Sequence, residues 1–445
     1  MLTVHPETDP GLPLQERIAD ARRRSDQLFE IVRPDSMYER PIPERHRIIF
    51  YVGHLEAFDW NLLHENAFGL KSFHPEFDRL FAFGIDPVSG GLPTDQPADW
   101  PSLSAVQEYV RKIREALDLK LAEGLDSETL MRDGFSFDTL LHVAIEHRLM
   151  HVETLAYMLH QLPLERKTPQ INSPLLVDSA AVPSIIEIPA GVATLGLSRH
   201  AGVFGWDNEF EAHPAGVPAF VIDRYMVTNG QWLEFIRAGG YDNRAMWSEG
   251  DWDWKSANGI SQPVFWKRIG EGWLYRAMFD EVPLPLDWPV YVSHAEAAAY
   301  ARWAGKALPT EAQWHRAAYG TANGTEQFYP WGDEDSNSSL GNFDFERWDP
   351  TPVNAHPRAR SAFGVEGMLG NGWEWTSTHF APFPGFEPFP FYRGYSADFF
   401  DGKHFVMKGG SPRTAACMLR PTFRNWFQEH YQYVYAGFRC VKCLI

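Results

Sequence analysis

Glu146-His147-Arg148-Leu149-Met150-His151-Val152-Glu153 is the stretch on which the reading of this chain turns. From Ser136 to Leu162 apolar residues recur at helical spacing, which predicts a helix across it. His147 and His151 are four apart, so both rings leave one face and are able to share a metal ion. Glu153 follows His151 by two and faces elsewhere, which suits a supporting or structural role better than direct ligation. Two histidines do not complete a site. On its own, such a pair is more often the edge of a bundle core, so the remainder of the chain decides.

Upstream, Pro13 to Ile31 reads as an amphipathic, Arg-rich helix, and Arg45 to Leu63 as a second. The second carries His54 within Phe50-Tyr51-Val52-Gly53-His54-Leu55-Glu56-Ala57-Phe58, an apolar setting suited to a buried ligand or to an ordinary core histidine. Pro101 to Glu123 is a third helix, with Ser102 or Ser104 as its cap. Phe137 to Leu162 is the fourth. Four helices with one long irregular connection, Leu70 to Trp100, predict a four-helix bundle. Such bundles build metal sites from facing helices, and His54 is placed to meet His147 and His151. Pro163, Pro169, Pro174 and Pro183 mark a linker. Beyond Ile185, short strands punctuated by Gly, Pro, Trp and Asn predict a loop-rich α+β domain, in which Ser293 to Ala304 and Thr310 to Tyr319 are the clearest helices. The domain expectation is therefore 1–165 for the bundle, 166–184 for the linker and 185–445 for the second domain.

Bulk properties exclude several classes. A chain of 445 residues, 44% of them apolar and 17 of them tryptophan, is expected to form two or three well-packed domains. With 40 basic against 58 acidic residues the net charge is −18, which disfavours nucleic acid or an anionic membrane as the main partner. No apolar run reaches the length of about 18 residues needed to span a bilayer. Met1 to Leu14 lacks a signal-peptide pattern. The cysteines, Cys417, Cys440 and Cys443, are few and odd in number, which suits a reducing cytoplasm.

The second half resembles the formylglycine-generating-enzyme-like domain, a variant of the C-type lectin fold. The runs that carry the likeness stand in order: Phe220-Val221-Ile222-Asp223-Arg224-Tyr225, Leu308-Pro309-Thr310-Glu311-Ala312-Gln313-Trp314, Tyr329-Pro330-Trp331-Gly332, Gly370-Asn371-Gly372-Trp373-Glu374-Trp375, Lys408-Gly409-Gly410-Ser411 and Ala436-Gly437-Phe438-Arg439. Gly372 stands where that family usually has Val. Formylglycine-generating enzymes hold copper with two cysteines soon after Gly-Gly-Ser. Here Thr414 and Leu419 fill such places, which opposes that chemistry.

The first half resembles a DinB-type bundle, and the fusion is similar to the ergothioneine-type sulfoxide synthases. These are non-haem iron enzymes that join sulfur to the imidazole ring of hercynine. Selenoneine synthases share the architecture and take a selenium donor. The resemblance implies Fe(II) as cofactor, His54, His147 and His151 as its ligands, and Tyr392 as the catalytic tyrosine. It implies hercynine binding by Asn425 and Trp426, with Tyr395, Phe427 and Met150 also lining the substrate site, between the two domains. Hercynine, dioxygen and a thiol or selenol are then the small-molecule partners.

Three departures bear on the donor. Synthases that use γ-glutamylcysteine usually carry arginines after the second helix, where this chain reads Phe83-Gly84-Ile85-Asp86-Pro87-Val88-Ser89-Gly90-Gly91. Phe427 stands where Asp is usual, and Met150 where Gln is frequent. Without these anchors a zwitterionic peptide is poorly held. The expectation is a less charged donor, a selenosugar or thiosugar. The alternatives are an ergothioneine synthase using cysteine or γ-glutamylcysteine, a formylglycine-type oxidase, and a binding protein without catalysis.

Overall fold

The computed structural model describes residues 12–82, 92–123, 134–170 and 181–443. The chain divides into two compact units, Met1–Ile171 and Asn172–Ile445. The expected linker falls largely on 171–180, outside the described residues, as does the Phe83–Gly91 segment with Asp86.

In the first unit, α1 is Leu14–Ile31, α2 Ile48–Leu63, α3 Pro75–Leu80, α4 Leu103–Glu123 and α5 Phe137–His160. Helix α1 packs along α5, and α2 lies against both α4 and α5, so the bundle forms as the apolar periodicity predicts. Ser136 caps α5, its side chain accepting from the Thr139 amide, and Ser102 Oγ accepts from the Ala105 amide at the start of α4. Helix α5 runs for 24 residues, and from Val143 to His160 only Met150 is not buried. It has neighbours on every side and therefore no polar stripe. The connection between α2 and α4 is less irregular than its sequence suggests, because it contains α3. That short helix starts at Pro75 and is capped by His74. Asp78 fastens it, accepting from Tyr109 Oη of α4 at 2.7 Å and Trp60 Nε1 of α2 at 3.3 Å.

A buried ion network ties the bundle together. Arg148 of α5 donates to Glu56 at 2.9 Å and to Asp59 at 2.6 Å, both on α2, and to Ser25 Oγ of α1 at 3.2 Å. Arg114 of α4 donates to the same Glu56 oxygen and to Asp26 of α1. Four helices are thus cross-linked by charge-assisted hydrogen bonds, buried at Arg148, Glu56 and Asp59 and reaching solvent at Asp26.

The second unit contains β1 (Ile185–Ile188), β2 (Gly191–Leu195), β3 (His213–Val217), β4 (Phe220–Asp223), α6 (Asn229–Arg237), α7 (Glu249–Ala257), β5 (Trp266–Ile269), β6 (Gly272–Arg276) and β7 (Glu281–Pro283). It continues with α8 (His294–Trp303), α9 (Glu311–Tyr319), β8 (Gly372–His379), β9 (His404–Gly410), β10 (Asn425–Gln428), β11 (Ala436–Gly437) and β12 (Val441–Cys443). The sheet that matters for function has the order β10-β9-β8-β11, and three smaller sheets, β1-β4-β12, β2-β3 and β5-β6-β7, surround it. A core of Ile188, Phe220, Ile222, Trp314, Val365 and Leu419 packs under α9. Helices α8 and α9 begin at capping boxes, Ser293 with Glu296 and Thr310 with Gln313. Helix α6 carries the same signature in Thr228 and Gln231, a signal the apolar pattern alone does not reveal.

The Gly at 372 has a structural cause. Its φ is 153°, and a Cβ there would lie 2.9 Å from the Tyr291 ring. The neighbouring Asn371 is itself at φ 65° and knits the loop, accepting from the Thr351 amide at 2.7 Å and donating to the Thr351 carbonyl at 2.9 Å. A valine at 372 would meet both the strained backbone and the tyrosine.

Candidate active site

The three histidines converge. His54 Nε2 lies 3.2 Å from His151 Nε2, and His151 Nε2 lies 3.1 Å from His147 Nε2. All three are buried, and their ligand atoms lie within 4.8 Å of one another. Glu153 is also buried but stands outside this group.

The second helix and the short α3 set the tautomer. His54 Nδ1 lies 2.6 Å from the Phe81 carbonyl, to which it donates its proton. That leaves a lone pair on Nε2, aimed at the other two rings. The close approach depends on Gly53, since a Cβ there would lie 2.6 Å from the Phe81 ring. Phe50 stacks on His54 at 4.8 Å, and Phe58 on His147 at 3.4 Å. The rings therefore have little rotational freedom.

Burial is the main influence on their protonation. It lowers His54 to about 4, against the Phe81 carbonyl, which pulls the other way. It holds His147 and His151 well below the ordinary imidazole range, and the neighbouring imidazoles push in the same direction. The three rings are neutral at neutral pH. Nε2 of His151 touches both other Nε2 atoms, so one ring proton is able to serve at most one of those contacts. A cation among the three nitrogens satisfies every lone pair. The spacing also suits one: imidazole nitrogens on adjacent corners of a shell of about 2.1 Å radius are about 3.0 Å apart. The donor set fits a divalent transition ion.

In the second unit, Tyr392, Tyr395 and Trp426 join one aromatic patch. Tyr395 stacks on Trp206 at 4.0 Å and meets the Trp426 ring edge-on at 5.4 Å. Tyr392 is half-buried, 5.4 Å from Tyr395 and 6.5 Å from Trp206. Trp426 has one face covered by Phe380, ring to ring at 4.1 Å. Asn425 accepts the Trp426 amide on its side-chain oxygen at 2.8 Å, and alternation along β10 places it on the face opposite the Trp426 ring. The same alternation puts Phe427 opposite Trp426, where it stacks on Tyr431 at 5.0 Å. Met150 is half-buried on α5, one residue before His151, in the first unit.

Comparison with known proteins supplies a family. Residues 174–444 match the sulfatase-modifying factor enzyme 1-like domain, and residues 17–155 match the DinB superfamily. The hercynine oxygenase of Mycolicibacterium smegmatis is 34% identical, over 96% of this chain and 97% of its own length. The chain belongs to the ergothioneine-type sulfoxide synthase family. The hercynine oxygenase of Mycobacterium tuberculosis is 39% identical over 70% of this chain and 72% of its own. Ergothioneine biosynthesis protein 1 of Neurospora crassa is 28% identical over 92% of this chain and 55% of its own. As a sulfoxide synthase family member, the protein is an oxidative enzyme.

Several features of this synthase escape sequence reading. The Phe81 carbonyl, the Phe58 stack and the Arg148 network depend on contacts remote in sequence. Asp207 is another. Burial raises its carboxyl to about 6, although Ser396 Oγ donates to it, and it adjoins Trp206 beneath the aromatic patch. No membrane-length apolar helix occurs among the described residues.

Proposed function

We propose that this enzyme couples the imidazole ring of hercynine to a thiol or selenol donor, using dioxygen and an iron(II) ion held by His54, His147 and His151. The convergence of three neutral imidazoles, with the His54 tautomer set by the Phe81 carbonyl, carries the reading, supported by relatives that are named hercynine oxygenases. Iron(II) held by these three imidazoles would supply the redox chemistry of the coupling. For a thiol yielding a sulfoxide, the ring C–H and the S–H are lost and a C–S bond forms. One oxygen atom ends on sulfur and the other leaves as water.

The chain's own groups handle binding and protons. The Trp426 face opposite Phe380 suits the trimethylammonium group through a cation–π contact. Tyr392 is assigned as the proton source, its hydroxyl delivering a proton to reduced oxygen. Tyr392→Phe is expected to keep hercynine affinity within about twofold while lowering coupling about 10²-fold or diverting turnover to donor oxidation. Product ratios by mass spectrometry check this, and an unchanged rate and ratio removes Tyr392 from the mechanism.

For the donor we favour a neutral selenosugar or thiosugar. Of the arginines near the patch in sequence, Arg424 is buried and paired with Glu311 at 2.9 Å. Arg413 lies 3.8 Å from the centre of the Trp348 ring and donates to the Phe345 carbonyl. Arg393 alone of these is exposed. A peptide carboxylate entering without a cationic partner bears a desolvation cost of several kcal/mol, on the order known for unpaired buried ions. In competition at equal concentrations, after anaerobic iron loading, the neutral donor should show a kcat/KM at least about tenfold above γ-glutamylcysteine, equivalent to about 1.4 kcal/mol. The opposite order would retain the ergothioneine reading and discard the selenoneine one.

A further inference from the structure

We propose that Asp207 is a positioning residue for the coupling reaction, tethering both ends of the segment 389–396 and so fixing where Tyr392 is held, an inference that rests on Tyr392 being the proton source. Asp207 and Ser396 are both fully buried. Ser396 Oγ donates to Asp207 Oδ1 at 2.5 Å, and the Phe389 backbone N–H acts on the same carboxylate, favouring its charged form. Phe389 and Ser396 bracket Tyr392. Between them the backbone is a run of turns, in which the Tyr392 amide donates to the Phe389 carbonyl at 3.0 Å and the Tyr395 amide to the Tyr392 carbonyl at 3.2 Å. Two fixed ends and these internal bonds leave Tyr392 little freedom to shift. Trp206, the residue before Asp207, adds a ring contact by stacking on Tyr395.

The tether is useful only if its own base is rigid, and it is. Asp207–Glu209 forms a short 3-10 turn, closed by Glu209 Oε1 accepting the Trp206 amide at 2.9 Å. Glu209 is fully buried and accepts from Arg420 Nη2 at 2.5 Å, Arg420 Nε at 2.9 Å and Thr422 Oγ1 at 2.5 Å. The Asn208 carbonyl accepts from Arg424 Nη1 at 3.3 Å. Arg420, Thr422 and Arg424 lead directly into β10, which carries Trp426. One buried turn therefore joins the Tyr392 segment to the strand assigned to hold the trimethylammonium group. Packing alone does not account for Asp207. Burial raises its carboxyl to about 6 despite the donors around it, so the charge works against the fold where an apolar side chain would not. A carboxylate supplies what an apolar side chain lacks, directional bonds to fixed points on the segment.

The test uses the full iron-loaded chain with hercynine and either γ-glutamylcysteine or 1-thioglucose as donor. Asp207→Leu and Ser396→Ala should each lower kcat for coupling at least about tenfold and raise the share of donor oxidation, with hercynine affinity within about twofold of wild type. Asp207→Asn keeps an oxygen that accepts from Ser396, and should restore the product ratio to within about twofold. In a Tyr392→Phe background, Ser396→Ala should change the ratio no further, because the hydroxyl it positions is gone. A purely structural role would reduce the folded yield and leave the ratio of the folded fraction alone. Hydrogen exchange on the wild-type enzyme needs no variant, and peptide 389–396 should be protected. Exchange there at the rate of an unstructured chain would overturn the proposal. So would a wild-type ratio in folded Asp207→Leu or Ser396→Ala while Tyr392→Phe alters it, which leaves the Tyr392 assignment standing. A wild-type ratio in Tyr392→Phe itself removes both.

Discussion

His151→Ala is expected to bind less than a tenth of the wild-type iron and to lose oxygen-dependent coupling by at least about 10³-fold. Disturbing groups that merely orient metal ligands already costs about 10–100-fold in affinity or activity, and His151 is assigned as a direct ligand. It is also the ring whose Nε2 touches both others, at 3.2 and 3.1 Å. The fold should survive. The substitution removes a ring nitrogen from a crowded set of lone pairs, and α5 keeps the apolar residues that bury it on either side. Iron content by elemental analysis, helix content by circular dichroism and oxygen uptake with hercynine and donor together decide the matter. A folded variant that still held one tightly bound iron per chain would remove His151 from the ligand set.

Arg148→Met is expected to cost the bundle about 3–5 kcal/mol, because it leaves Glu56 and Asp59 buried without their shared partner. The loss should appear as a lower urea midpoint at unchanged slope. Acid gives a second readout. In the intact network burial works against the Glu56 charge, and Arg148, Arg22 and Arg114 more than offset it, lowering Glu56 to about 2. A depressed carboxylate stabilises the fold fully above its unfolded value, near 4.5, and that contribution fades as pH falls toward 2. Asp59 acts in the opposite sense, because burial raises it despite Arg148. Without the guanidinium Asp59 favours its neutral form, and Glu56, which keeps Arg114 at 2.6 Å, is held down less strongly. The gap between variant and wild type should therefore narrow as pH drops from 7 toward 4. A gap constant with pH would mean that the lost packing of the long side chain, and not the orphaned charges, causes the destabilisation.

The His147–His151 juxtaposition is legible because side-chain geometry on a helix is local. Four residues of spacing bring His147 and His151 to one face whatever surrounds them. His54 was legible one step less directly, from its apolar flanks and the bundle expectation. Nothing local predicts that a backbone carbonyl 27 residues downstream orients it, because that contact exists only once α3 is pinned by Tyr109 and Trp60. Arg148 stands between the two histidines of α5, yet its role depends on α1, α2 and α4 arriving together. In the second unit the runs around Asn371 and Gly409 carry the family likeness. The partners of Trp426, namely Phe380, Tyr395 and Phe399, lie up to 46 residues before it and meet it only through sheet pairing and loops. Helix α7 went unnoticed for lack of an apolar stripe, although Ser248 caps it in the ordinary way.

The burial of α5 on all sides constrains how this lineage is able to change length. One residue inserted between His147 and His151 turns everything beyond it by about 100° and advances it by about 1.5 Å. That would separate the two imidazoles and send each downstream side chain into a slot shaped for another. A surface helix absorbs such a slip on its solvent face, and α5 has no such face from Val143 to His160. Insertions and deletions should therefore accumulate in the connections between helices and leave the interval from Glu146 to His160 at constant length, even in relatives whose donor preference has diverged.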